Sequence, residues 1–247
     1  MNKLFGVVLV EAIRAPLRDP EWLRKMLAGG ALTLLPTLAL GLLLAGQVSL
    51  PVGVGLLVVG LVLNFVAWGY LFRVFIDALN GAQQAVLPGW RDWKAYGMAG
   101  FWLFLILIGY IFIAVVVLSG VLSVLGMIPS GTDQNRLFGL SMLMLLVIVM
   151  FYGFFPIVFA RFAAEGRVWS AFEPGPVWQD IRQIVKGNYV QACFGCFGFL
   201  LMGNLILGLL PLVGFLLASV YWFFLMMVFS RVFGVLIREA KRPPGVF

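Results

Sequence analysis

The 247 residues are 63% hydrophobic and only 11% charged, with a formal net charge of +7 and no histidine. A soluble domain carries about 25% charged residues, so this chain lacks the polar surface of a water-soluble globule, and its mean hydropathy of +1.07 belongs to a bilayer. The missing histidine removes the commonest general base and metal ligand, and nothing in the positive charge requires a nucleic acid.

In chain order, residues 1–19 come first, MNKLFGVVLVEAIRAPLRD. Their apolar run is too short to span, Glu11 and Arg14 interrupt it, and no small-residue cleavage site follows. Leu4, Val7, Val8, Val10 and Ile13 predict an amphipathic helix lying at the interface. Apolar runs of about 20 residues read as membrane-spanning helices, and six follow: 27–45, 52–72, 98–122, 137–160, 190–210 and 212–229. The expected fold is therefore an all-α integral membrane protein of six transmembrane helices arranged as three hairpins.

A phrase of Pro-x-Trp followed by mixed charge occurs three times, as DPEWLRK, LPGWRDWK and GPVWQDIR, at Pro20, Pro88 and Pro176. Each copy precedes a hairpin. Proline fits the first helical position, Asp19 can cap the orphan amides ahead of Pro20, and Glu21, Asp92 and Asp180 fall in the expected first turns, where the helix dipole favours anions. Tryptophan prefers the headgroup layer, so each phrase predicts a short interfacial helix anchored by Trp22, Trp90 or Trp178. Arg73, Arg161 and Arg231 close the second span of each hairpin, in LFRVF, FARFA and FSRVF. Arg73 to Arg161 and Pro88 to Pro176 are both 88 residues. Repeats at a fixed period mark repeated supersecondary units, here parallel units of about 1–75, 76–163 and 164–240 within a single domain, 1–247.

Six spans place sixteen of the seventeen basic residues on one face, Arg136 alone lying opposite. Lys and Arg are retained in the cytoplasm, so both termini are expected inside, with the basic face against anionic headgroups. The run GYLFRVFIDALNGAQQAVLPGWRDWKAYGMAG, preceded by WLRKMLAGGALTLLP and followed by IVFARFAAEGRVWSAFEPGPVWQDI, resembles the prokaryotic membrane family catalogued as domain of unknown function 4013. The resemblance covers most of residues 19–200. It implies a multi-pass protein of the prokaryotic inner membrane and brings no activity or catalytic residues with it.

Chemistry has few footholds. No acidic or basic residue lies mid-span, against the habit of proton-coupled pumps and intramembrane hydrolases. Cys193 and Cys196 form a Cys-x-x-Cys, but inside an apolar helix such thiols are inert, and packing is the plainer role. Asn64, Ser119, Ser123, Ser141, Tyr152, Gln191, Asn204 and Ser219 either hydrogen-bond between helices or line a path, with Asn64 and Asn204 the candidates for a polar cavity. Gly53, Gly55, Gly97, Gly100, Gly195 and Gly198 read as close-packing positions. Arg73, Arg161 and Arg231 could together hold a lipid phosphate, since guanidinium forks suit phosphate oxygens; the alternative is three separate snorkelling anchors. The expectation is a non-enzymatic subunit without cofactor or metal, contacting anionic lipid and a membrane-protein partner or further copies of itself. The alternative is a transporter, channel or lipid-handling protein for a neutral or lipid-like solute.

Overall fold

The structure is a computed structural model and describes residues 3–81, 87–124, 141, 153–210 and 213–241. Among these every regular element is helical: α1 (Lys3–Leu17), α2 (Trp22–Leu44), α3 (Leu50–Leu79), α4 (Trp93–Val124), α5 (Phe155–Glu165), α6 (Pro174–Ile184), α7 (Gly187–Gly208) and α8 (Val213–Lys241). Short 3-10 turns at Trp90–Asp92 and Val168–Phe172 precede α4 and α6. Five stretches are long and apolar enough to cross a membrane: Trp22–Leu44, Leu50–Leu79, Trp90–Val117, Gly187–Gly208 and Leu216–Lys241. The expected span 137–160 lies largely outside the described residues, which take in Ser141 and its end, residues 153–160, leading into α5.

Local chemistry explains the boundaries. After α2, Gly46 takes the left-handed conformation (φ 66°), which costs glycine nothing and closes a helix. Pro51 then sits in the first turn of α3, where its missing N–H is no loss. Gly166 ends α5 in the same way, its N–H reaching Phe162 O at 2.8 Å.

The three Pro-x-Trp copies do not form three equivalent interfacial helices. Trp22 begins α2, which continues unbroken into the first span. Trp90 opens a single 3-10 turn that runs directly into α4. Only the third copy makes a separate helix, α6. No proline separates Trp22 from Leu27 or Trp93 from Met98, so helix, once nucleated, propagates. After α6 the chain breaks at Val185 and the extended Lys186 before α7 begins at Gly187. Asp180 is also not in a first turn, because α6 starts at Pro174 and leaves Asp180 in its middle, buried.

The core is concentrated at one end. Phe223, Met227, Val228, Val232 and Ile237 of α8 are buried against Met26, Ala67, Tyr70, Tyr96, Ile106, Ile157 and Val158, so α8 is the central helix, touching α1, α2, α3, α5, α6 and α7. Helix α1 packs on α8 beside Ala12 and Ala15 and meets Gly195 of α7 with Phe5, leaving Val7 and Val10 exposed. The opposite ends, among them Leu44, Leu50, Val117 and Leu209, are exposed. Helices α3 and α4 cross closely: a Cβ at Gly69 would lie 1.8 Å from Tyr96 O, and one at Gly100 1.9 Å from Phe65 O. Small residues permit such approach.

Candidate functional site

The buried end is also the basic end, and its polar groups are organised around Leu87-Pro88-Gly89-Trp90. Asp19 is 1% exposed and Lys25 5%. The carboxylate of Asp19 accepts from Glu21 N at 2.7 Å, Leu87 N at 2.7 Å and Lys25 Nζ at 2.8 Å. Lys25 also donates to Leu87 O at 2.8 Å. The next two carbonyls are taken as well, Pro88 O by Tyr70 Oη at 3.1 Å and Gly89 O by Tyr96 Oη at 2.9 Å. Trp90 then stacks on Tyr70 with ring centroids 4.2 Å apart. The first phrase thus grips the backbone of the second. Lys25 is buried, so the two charges persist because each is paired and hydrogen-bonded.

The three repeated arginines meet three different fates. Arg161 lies among carboxylates: Glu165 at 2.7 Å, Glu173 at 3.3 Å and Asp180 at 3.5 Å, with Nε donating to Ser170 O at 3.0 Å. Asp180 also pairs with Lys241 at 2.9 Å, tying α6 to the end of α8. Arg73 is exposed and pairs along its own helix with Asp77 at 3.2 Å. Arg231 lines a cavity with Arg18 and Arg238, in the field of Asp77 and Glu11. The tryptophans differ too. Trp22 is half-buried on the core, Trp90 is held in the aromatic stack, and Trp178 is exposed beneath the Arg182 guanidinium at 5.1 Å. Trp169, 81% exposed, and Trp93, 59% exposed, are the outward-facing indoles that a search for Pro-x-Trp passes over.

Asn64 and Asn204 line one cavity of about 300 Å3 with Thr33, Thr37, Trp68, Ser219 and Trp222. The Asn64 Oδ1 atom is buried without a hydrogen-bond partner, whereas the Thr33 and Ser219 hydroxyls donate to Gly30 O and Leu216 O on their own helices, and Thr33 also reaches Ser219 O of α8 at 3.5 Å. Cys193 and Cys196 are both thiols, the second buried. Among the described residues no group of three His, Cys, Asp or Glu side chains could hold a metal ion.

Long apolar helices, packed by glycine at their crossing and by ionic and aromatic contacts at one end, define a helical protein built to cross a membrane. The chain belongs to the family described as protein of unknown function (DUF4013), whose model matches residues 52–212. The match begins inside α3 and ends after α7, so α1, α2 and all of α8 lie outside it. No curated protein and no solved structure matches the chain.

Proposed function

We propose that this chain is a non-enzymatic accessory or scaffold subunit of a larger membrane assembly, held in a prokaryotic cytoplasmic membrane with both termini inside. The observation that carries the reading is the distribution of burial. In the most apolar 18-residue stretch of each candidate span, only 17% of the residues are buried in α2, α3, α4 and α7, against 61% in α8. A stretch so little buried by its own chain offers most of its surface to lipid and to neighbouring helices. Exposed Phe112, Phe194, Leu205 and Ile206 supply apolar contact area there. The test is purification from the native membrane in mild detergent, with stoichiometric partner proteins expected. A lone, monodisperse monomer under several mild conditions overturns the scaffold reading.

The basic end, in the same reading, contacts anionic headgroups, each basic residue there being worth about 1 kcal/mol. Arg161 is the least suited of the three repeated arginines, because three carboxylates already surround it. Arg73 and Arg231 are the better candidates, with Trp178, Trp93 and Trp169 as outward anchors.

A second reading, a path for a small neutral solute, is favoured by the Asn64 and Asn204 cavity with its partnerless Oδ1. An apolar Asn64→Leu side chain distinguishes the two. Loss of solute flux in proteoliposomes supports a path; unchanged flux with equal or greater stability makes Asn64 a packing residue, since removing an unsatisfied polar group is close to neutral or stabilising.

A further inference from the structure

The basic end contains a second cavity, of about 410 Å3, between α1, the end of α3 and the end of α8. Glu11 of α1 and Arg18, just past its end, are seven residues apart, and Arg231 and Arg238 are seven apart on α8. Two helical turns return a side chain to the same face about 10 Å along the axis, so both helices present charged pairs to the space between them. Val8, Ala12, Ala15, Ala78 and Val235 form an apolar floor. These residues are short enough to leave room beneath the long cations.

Three guanidinium groups and one carboxylate line the cavity. Arg238 is the most constrained. Its Nη2 pairs with Glu239 at 3.2 Å and its Nη1 makes a long bond to Ala78 O at 3.5 Å, while Nε is buried without a hydrogen-bond partner. Gly81, at φ 77°, allows the guanidinium this close, since a Cβ there would stand 2.7 Å from Nη1. A buried N–H with no acceptor is costly, so Arg238 stands at the cavity with one donor unmet. Planar forks of this kind match phosphate oxygens in pairs.

We propose that Arg18, Arg231 and Arg238 form a discrete site for a phosphate group, filled by the phosphodiester of an anionic lipid or by a free phosphate. The proposal rests on the reading of the basic end as a headgroup-facing surface, but it does not depend on any protein partner. It also uses residues outside the family match.

The test uses the full chain in detergent. Native mass spectrometry measures retention of added phosphatidylglycerol against phosphatidylcholine, and a parallel titration with inorganic phosphate follows thermal stability. Variants are Arg18→Gln, Arg238→Gln and their combination, with exposed Arg91→Gln as the control. Arg18 is itself exposed, so its variant keeps the test valid should Arg238→Gln unfold. Phosphatidylglycerol retention should fall about tenfold per cavity arginine, about 1.4 kcal/mol each, and by clearly less in Arg91→Gln. Stabilisation by inorganic phosphate with the same arginine dependence, without selective phosphatidylglycerol retention, assigns the site to a free phosphate. Equal retention and equal phosphate response in wild type and Arg18→Gln overturn the site. A uniform loss in Arg91→Gln as well overturns it in favour of diffuse surface charge. A monomer without partners that shows the expected dependence removes the scaffold reading alone.

Discussion

Asp19→Ala deletes one carboxylate that serves three donors. Lys25, left in place, keeps Leu87 O at 2.8 Å and a distant Glu21 carboxylate at 4.0 Å, and the amides of Glu21 and Leu87 lose their acceptor. Removing one partner of a buried ion pair costs about 3–5 kcal/mol, because the remaining charge stays buried. Against a total stability of about 5–15 kcal/mol that is a large fraction. Asp19→Asn keeps an acceptor but loses the charge assistance and should cost about 1–2 kcal/mol. The pair Asp19→Asn with Lys25→Met should recover part of the loss, as apolar replacement of both partners often does. Reversible unfolding in mixed micelles, followed by tryptophan fluorescence, gives these differences. Acid adds a second readout. Burial pushes the Asp19 carboxyl up, but the hydrogen bonds from Lys25, Glu21 N and Leu87 N, with the Lys25 charge, outweigh it, so the pKa lies below the ordinary 3.8. A depressed folded-state pKa contributes stability above the unfolded-state value and loses it as pH falls through the folded one. The gap between wild type and Asp19→Ala should therefore hold from neutral pH to about 5 and close only below about 4. A gap under about 0.5 kcal/mol, the scale of ordinary surface changes, or one already closing between pH 8 and 6 refutes the argument.

Arg161→Gln should destabilise by about 3 kcal/mol, since it leaves Glu165, Glu173 and Asp180 facing one another, whereas Arg73→Gln should cost under about 1 kcal/mol, its pair being exposed; equal effects in unfolding titrations would erase the distinction drawn between them. Gly69→Val must push the Tyr96 carbonyl away and should lose about 3 kcal/mol or more, while Gly55→Ala, with nothing within 4 Å, should unfold as wild type does. Single cysteines on a background lacking Cys193 and Cys196 report topology: Gln134→Cys should react with an impermeant maleimide added outside intact cells, and Arg91→Cys only after permeabilisation. The opposite pattern would invert the assignment of the basic face.

Hydropathy and punctuation carried much of the fold. Five apolar stretches are helices at the expected places, and Gly46 and Pro51 mark the turn between α2 and α3 as their backbone chemistry predicts. The polar ties were not legible. Lys25 in WLRK reads as one more interfacial cation, because such residues are expected beside any span, and its partner Leu87 is 62 residues away. Trp90 reads as a lipid anchor, yet three side-chain rings, Tyr70, Tyr96 and Phe223, surround it. An exact 88-residue spacing suggested equivalence for Arg73 and Arg161, but spacing says nothing about the three carboxylates that gather around only one of them. The cavity of Arg18, Arg231 and Arg238 joins the two ends of the sequence, and a helix that is apolar nearly all round offers little periodic contrast to reveal which face meets which neighbour.

The concentration of the core at one end follows from the solvent. Within hydrocarbon no hydrophobic force draws helices together, so association relies on close packing and polar contacts. Glycines supply the first where α3 and α4 cross at Gly69 and Gly100. Buried ionic and aromatic contacts supply the second, and they occur where Asp19, Lys25, Arg161 and Asp180 lie, close to the headgroup layer that the sequence pattern predicts for them. Toward the other end, among the described residues, such devices thin out and exposed Leu and Val take over. Local stability should therefore be graded along the helices, high at the basic end and low at the opposite one, as expected of regions with few buried contacts. The Asn64 and Asn204 cavity lies among α2, α3, α7 and α8. The arginine cavity lies at the basic end, where Arg231 and Arg238 are both held by α8, the central helix.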